Sequence, residues 1–350
     1  METLATSDVQ TGVPVPASAH LHVIDARTVR ETIFSDIEGC FEVVASAYLA
    51  YSEGEGLNPP SVLMRFPGHA ANRIIALPAH LEAPWNVSGI KWIASYPDNI
   101  CNGLARASAV VILNETQHGY PFACLEGSII SAARTAASAV LAARHLCAKP
   151  RRVRSFGVVG AGLIARNVYQ FMIATGWVMR KLVLFDSNPA AAAAFAEQTG
   201  AQARHESVRI ADTPESLLRC CDLVLFATTA PAPFVSDVAA VAHNPVILHV
   251  SLRDLAPELI LRSWNVTDAV EHVLSANTSL HLAEQAIGSR HFVTTDISSV
   301  LTGRWRPDHS RPIVFSPFGL GVLDIAVAKW VYDRAVARGR VQVIENFRSE

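Results

Sequence analysis

The stretch Phe156-Gly-Val-Val-Gly160-Ala-Gly162-Leu163-Ile164-Ala165 constrains the fold more than any other part of the chain. Val153, Phe156, Val158 and Val159 form an apolar run suited to a buried parallel strand, and the run leads straight into the glycines and then into a helical pattern. Gly160 permits a tight turn, Gly162 leaves no Cβ between backbone and a pyrophosphate, and Ala165 is small enough for the helix to lie close on the strand. The helix start offers N–H groups and a positive dipole end, so Gly160, Gly162, Leu163 and Ile164 are the candidate phosphate-binding loop. A second apolar run, Leu182 to Phe185, ends in Asp186, followed by Ser187, Asn188 and Pro189 rather than by arginine. An acid at the tip of the second strand can accept both ribose hydroxyls of an adenosine, which favours NAD over NADP.

The alternation continues downstream. Helix over Ile164 to Thr175, helix through Ala190 to Ala196, a short strand at Val208 to Ile210, helix at Pro214 to Cys220, and apolar strands at Leu223 to Phe226 and Val246 to Val250 predict a doubly wound sheet with right-handed crossovers. Its ligand crevice belongs at the carboxyl ends of the strands. Two of those ends carry polar residues: Thr228-Thr229 after Phe226, and Ser251-Leu-Arg-Asp254 after Val250.

The first half of the chain has a different texture. Val29, Ile33, Ile37, Phe41, Val44 and Tyr48 recur at helical spacing, predicting one amphipathic helix over Ala26 to Ser52. Beyond Pro59-Pro60, runs at Val62 to Phe66, Ile74 to Pro78, Val87 to Ala94 and Ala107 to Leu113 read as an antiparallel meander. A loop over Asn114 to Pro121, a short strand at Phe122 to Leu125 and a long alanine-rich helix to Cys147 follow, and Lys149-Pro150 marks a boundary. Near the end, Ile313 to Phe315 is a strand and Val322 to Ala337 a helix expected to pack back on the first domain.

The expected architecture is therefore α/β: a Rossmann-type doubly wound parallel sheet over 150–317, plus a discontinuous α+β domain built from 21–149 with 318–350. A chain of 350 residues, 50% hydrophobic and 17% charged, is long enough for both. Met1 to His20 is rich in Ser, Thr, Pro and Ala, lacks the basic and apolar regions of a secretory signal, and reads as a loose tail. A net charge of −2 gives no electrostatic footprint for nucleic acid, and the charge-free apolar stretches are too short and proline-broken to span a membrane. The partner expected is a small molecule. Six cysteines without C-x-x-C or metal-type His/Cys spacing fit a reducing cytosol and point to no metal; the adjacent Cys220-Cys221 pair reads as core.

With these residues laid out, the chain resembles the ornithine cyclodeaminase/mu-crystallin family from about residue 20 onward. The resemblance rests on Gly89-Ile-Lys91-Trp92, Arg106-Ala-Ser108, Ser131-Ala-Ala-Arg134-Thr135, the glycine loop, the Asp254 turn and Phe318-Gly319-Leu-Gly321-Val-Leu-Asp324. Ile74 to His80, Lys91-Trp92-Ile93, Val111 to Asn114 and Glu126 to Ser131 look most like its branch of N-(2-amino-2-carboxyethyl)-L-glutamate dehydrogenases, which make 2,3-diaminopropionate for siderophores and peptide antibiotics. That resemblance implies NAD-dependent oxidation of a secondary amine, hydrolysis of the imine, and a homodimer formed through the first domain. Cyclodeaminases usually continue past the aspartate with a Pro-Gly-Lys-Thr-Glu type sequence. Here Leu255-Ala-Pro-Glu258 follows, which counts against cyclodeaminase activity itself.

The resemblance also implies residue roles. Arg65 and Arg134 match the family's carboxylate binders, a role suited to arginine's fork. Arg65 alone would also pass as a solvated strand-end charge. Thr228, Ser251 and Gly319 match positions near the dinucleotide. Lys91 sits between apolar neighbours in a strand, where an inward side chain suits proton shuttling or carboxylate holding, although alternation equally permits the outer face. Asp254 is the candidate for taking the ammonium proton before hydride leaves, with capping of the next helix as its competing role. His80, His118 and His249 lack ligand spacing and read as structural.

Overall fold

A computed structural model describes residues 20–200 and 204–347; the tail expected over Met1 to His20 lies outside them except for His20. The chain opens with β1 (Leu21–Ile24), α1 (Ala26–Ser35), α2 (Ile37–Ser52), β2 (Gly56–Leu57), β3 (Val62–Phe66), β4 (His69–Leu81), β5 (Val87–Ser95), β6 (Ala107–Glu115), β7 (Pro121–Glu126) and α3 (Gly127–Leu146). Next come β8 (Arg152–Val159), α4 (Leu163–Ala174), β9 (Val178–Phe185), α5 (Pro189–Gly200), β10 (Ser207–Ile210), α6 (Pro214–Leu218), β11 (Leu223–Phe226), β12 (Val246–His249) and α7 (Pro257–Leu261). The last part holds β13 (Trp264–Thr267), α8 (Val270–Val273), α9 (Ser279–Ile287), β14 (Val293–Asp296), α10 (Ile297–Leu301), β15 (Ile313–Ser316), α11 (Gly321–Ala337) and β16 (Gln342–Ile344).

These elements form two compact units. The first holds the described residues up to Asp36 together with Ala50–Ser131 and those from Gly321 on; the second holds Ile37–Leu49 and Ala132–Leu320. The division falls inside α3, not after Lys149-Pro150. Sequence marks where a helix stops, whereas packing decides which unit each of its turns joins.

In the first unit the strands run β16-β1-β7-β6-β5-β4-β2, with β3 also on β4. The antiparallel meander from β3 to β7 is as expected; β1, which the sequence reading missed, pairs parallel with β7 and antiparallel with β16. Helix α11 packs on β4, β5 and β6. The opposite sheet face presents Val62, Met64, Trp92 and Val110, all exposed, and the strand register sets Val62, Ala76, Trp92 and Val110 in one cross-strand row.

The single helix expected over Ala26 to Ser52 is two. Asp25 caps α1 by accepting from the Thr28 N–H at 2.8 Å, the backbone leaves helical geometry at Asp36 (φ −147°, ψ 68°), and α2 starts at Ile37. The apolar spacing runs through the break, so periodicity alone does not reveal it.

The second unit is an all-parallel sheet in the order β10-β9-β8-β11-β12-β15-β13-β14, the doubly wound arrangement the sequence predicted. Leu223 to Phe226 and Ile313 to Phe315 are fully buried, and each such side chain contributes about 1.5–3 kcal/mol by leaving water. Strands β13 and β14 were not anticipated, because Trp-Asn-Val-Thr and Val-Thr-Thr-Asp are short and half polar. Cys40, Cys147 and Cys221 are buried; Cys101 and Cys220 are exposed, so the core reading of the adjacent pair holds for Cys221 and fails for Cys220, whose Sγ faces Arg209 Nη2 at 3.0 Å. Among the described residues no helix is long and apolar enough to cross a membrane.

Candidate active site

Because every strand of the second sheet is parallel, all its carboxyl ends lie along one edge. Chain progression moves one way from β8 to β9 and β10, then the other way through β11 and β12, so the sheet reverses direction between β8 and β11. Crevices for ligands form at such a point. Gly160 stands there with φ +93°, and a Cβ on it would lie 2.6 Å from the Ala227 carbonyl oxygen, so only glycine fits. Its N–H donates to the Phe185 carbonyl at 2.8 Å.

Two residues on, Gly162 caps α4 without any side-chain hydrogen bond, and a Cβ there would meet nothing within 4 Å. The first turn of α4 holds no acid, and Leu163 is 64% exposed. A helix start with unanswered N–H groups and open space beside it fits a pyrophosphate. Asp186 is half-buried beyond β9; its Oδ2 accepts the Ala161 N–H at 2.7 Å and its Oδ1 the Asn188 N–H at 2.8 Å. The carboxylate thus pins the glycine loop and keeps lone pairs for ribose hydroxyls.

Further along the edge, Asp254 is fully buried. Thr228 Oγ1 donates to its Oδ1 and Ser251 Oγ to its Oδ2, while His249 Nε2 lies 3.0 Å from the same Oδ2 and 3.2 Å from the Asp254 backbone nitrogen. His249 Nδ1 lies 3.1 Å from Ser316 Oγ, which fixes the imidazole between strands β12 and β15. Burial alone would raise the Asp254 pKa, but the His249 hydrogen bond and charge, with the Ser251 and Thr228 bonds, hold it below the usual carboxylate range. Asp254 does not cap the next helix, since α7 is capped by Ala256 with no side-chain bond.

The network extends outward. Thr267 Oγ1 donates to the Ser316 carbonyl at 3.0 Å, and buried Asp268 accepts N–H groups from Phe318 at 2.8 Å, Gly319 at 2.7 Å and Ala269 at 2.9 Å. Burial pushes the Asp268 pKa up against the opposing pull of those three bonds and of the Arg134 charge. Gly319 has φ +94°, and a Cβ on it would sit 2.7 Å from Arg134 Nη1. The left-handed turn therefore gives the half-buried Arg134 guanidinium its room.

In the first unit Lys91 points inward. It is 1% exposed, in register with Leu77 and Val111, and its Nζ meets Asp324 Oδ2 at 2.6 Å and Ser131 Oγ at 3.1 Å. Arg65 is exposed on β3 directly opposite Arg73 of β4. Of the residues singled out from sequence, the structure brings together Thr228, Ser251 and Asp254, ties Asp186 to the glycine loop, and sets Arg134 against Gly319. Arg65 stands apart from Lys91, two cross-strand rows away on the same face.

Sequence reading missed Asp268, Ser316 and Thr267, and treated His249 as merely structural. Each sits at or just past a strand's carboxyl end; for Thr267 and Asp268 that signal is visible only once β13 is recognised, whereas His249 and Ser316 end β12 and β15, strands the sequence already marked. His80 and His118 bond to neighbours in their own hairpins. Among the described residues no group of three or more His, Cys, Asp or Glu side chains could hold a metal ion.

Fold and edge together define a two-unit protein whose second unit is a Rossmann-type sheet with a dinucleotide-shaped turn at its switch point. Residues 20–339 match the ornithine cyclodeaminase/mu-crystallin family, and the chain belongs to it. It is 27% identical over 84% of its length, and 89% of the relative's, to an N-((2S)-2-amino-2-carboxyethyl)-L-glutamate dehydrogenase of Staphylococcus aureus. To an alanine dehydrogenase of Archaeoglobus fulgidus it is 25% identical over 89% of this chain and 95% of that one. Among solved structures, the Thermococcus litoralis Δ1-pyrroline-2-carboxylate reductase in complex with NADH and L-proline superposes with a TM-score of 0.84 at 23% identity, covering 92% of this chain and 99% of the other.

Proposed function

We propose that this chain is an NAD-dependent oxidoreductase acting on the CH–NH group of an amino acid, with N-(2-amino-2-carboxyethyl)-L-glutamate as substrate and 2-oxoglutarate and L-2,3-diaminopropionate as products. The observation that carries the reading is the uncapped start of α4 at the switch point, with Asp186 beyond the neighbouring strand. The similarity to the staphylococcal dehydrogenase supports the substrate. Bound NAD supplies a hydride acceptor for the Cα–H of the glutamate half.

Gly160, Gly162, Leu163 and Ile164 hold the pyrophosphate and Asp186 the ribose, while Thr228, Ser251 and Gly319 border the dinucleotide. Arg65 and Arg134 each take a substrate carboxylate; Lys91, ion-paired with Asp324, takes another or passes a proton. Asp254 is buried, so its proton arrives through Thr228 or Ser251, half-exposed hydroxyls that already donate to it. As the secondary amine gives up its proton, a hydroxyl relays one to Asp254. Hydride would pass to the bound NAD and leave an imine; water adds with its oxygen on carbon and one proton on nitrogen, and the C–N bond breaks as the electron pair and the remaining hydroxyl proton go to nitrogen, giving the ketone and the primary amine. The chain works in the cytosol as a homodimer through its first unit; the apolar row of Val62, Trp92 and Val110 supports such pairing.

The test is direct. Purified protein, the aminocarboxyethyl-glutamate and NAD should give rising absorbance at the reduced-nicotinamide wavelength, and a flat trace overturns the reading. A second reading is a dehydrogenase, reductase or cyclodeaminase for a smaller amino acid, favoured by the similarity to the archaeal alanine dehydrogenase. Ammonia released from alanine with NAD reduction, or from ornithine without it, would select that alternative.

A further inference from the structure

The geometry points to a second carboxylate site in the first unit, formed by Arg65, Arg73 and Arg106, that grips the far carboxylate of a dicarboxylic substrate. It rests on the reading above for what the substrate is, but its residues lie outside the roles given there, except for Arg65. Strand register sets Arg65 of β3, Arg73 of β4, Ser95 of β5 and Ala107 of β6 in one line, and residues paired across strands point to the same face. Arg106, just before β6, reaches that face as well, since its Nη1 donates to Ser95 Oγ at 2.9 Å. Lys91 shares the face, four residues back along β5, which is about 13 Å of strand.

Among the described residues no carboxylate lies within the 4.0 Å of an ion pair with any of the three guanidinium groups, whereas the buried or half-buried Lys91, Lys329 and Arg334 are each so paired. Arg106 is half-buried, and its proton affinity is lowered first by that burial and then by the charge of Arg73. Like charges opposite one another on a sheet destabilise it. An anion set among them relieves the repulsion, and arginine's fork grips both oxygens of a carboxylate. The spacing to Lys91, shortened by the reach of the side chains, leaves room for a chain of a few carbons. A monocarboxylic amino acid would leave the row empty, which makes Arg73 and Arg106 the specificity determinants.

The experiment titrates the full chain, with and without NADH, with 2-oxoglutarate and with 2-oxobutyrate, followed by calorimetry. The wild type should prefer the dicarboxylate at least tenfold. R73Q and R106Q should each weaken 2-oxoglutarate tenfold or more while 2-oxobutyrate and NADH stay within twofold. R73K and R106K keep the charge without the fork, so they should show a smaller loss and keep the test open should a Gln variant fail to fold. No preference in the wild type, an unchanged preference in all four variants, or an equal loss for both oxo acids overturns the site. A preference that the variants abolish, in a protein that never reduces NAD with aminocarboxyethyl-glutamate, upholds the site and sinks the reaction. Turnover of that substrate with wild-type kcat/KM in the variants does the reverse.

Discussion

The two units bury charge by opposite means. In the first, Lys91 answers Asp324 with a full opposite charge at 2.6 Å. In the second, Asp254 and Asp268 are answered mainly by dipoles: hydroxyls and an imidazole for one, three backbone N–H groups for the other. The outcomes diverge further, because Asp254 ends below the usual range and Asp268 above it. Burial acts the same way on both. What differs is the donor set, and the adjustable hydroxyls and chargeable imidazole around Asp254 outweigh burial where the backbone groups around Asp268 do not.

The largest effect should come from breaking the ion pair. K91M leaves Asp324 buried without its lysine, and urea unfolding should show a loss of about 3–5 kcal/mol, much of it recovered in K91M/D324L. A small loss in K91M would mean that Asp324 is answered by dipoles as well, and the contrast between the units would fail.

Next is D254N, which removes a charged acceptor from two hydroxyl donors and from beside the His249 imidazole, and should cost about 2–3 kcal/mol along with most turnover. The stability that ionised Asp254 contributes is complete above its ordinary value of 3.8 and is lost as pH falls through the depressed folded value. D268N should cost only about 1 kcal/mol near neutrality, since the buried anion it replaces is already penalised. Its pH signature is inverted: the Asp268 contribution is complete below 3.8 and is lost as pH rises through the raised folded value. Unfolding series at stepped pH would expose parallel slopes for the two variants if the donor-set argument is wrong.

G319A should cost about 1–2 kcal/mol for a left-handed non-glycine residue, in the same range as D268N. Its sharper consequence is at Arg134, which must give way to a Cβ placed 2.7 Å from Nη1. KM for the carboxylate substrate should rise several-fold with a thermal midpoint only slightly lower, and an unchanged KM would detach Arg134 from substrate.

Local pattern made much of this legible. The turn from Val159 to Ala165 needs no distant residue to be recognised: an apolar run, two glycines and a helical start are contiguous, and Asp186 follows from the next strand's end. The same holds for β3, β5 and β6, whose composition matches their state. Where polar residues enter a short strand, as in Trp264-Asn-Val-Thr267, the period is lost, and Asp268 vanished from view with its strand. The break at Asp36 was invisible for the converse reason, since its flanks keep one spacing.

The sequence by itself determined the kinds of element, the parallel sheet and the phosphate turn, because those depend on neighbours within a few residues. Only tertiary structure decided which charges meet. His249 with Asp254, Lys91 with Asp324, and Arg65 beside Arg73 and Arg106 are juxtapositions across strands and helices. Their energies depend on burial and on partners distant in sequence, and neither is written in any one stretch of the chain.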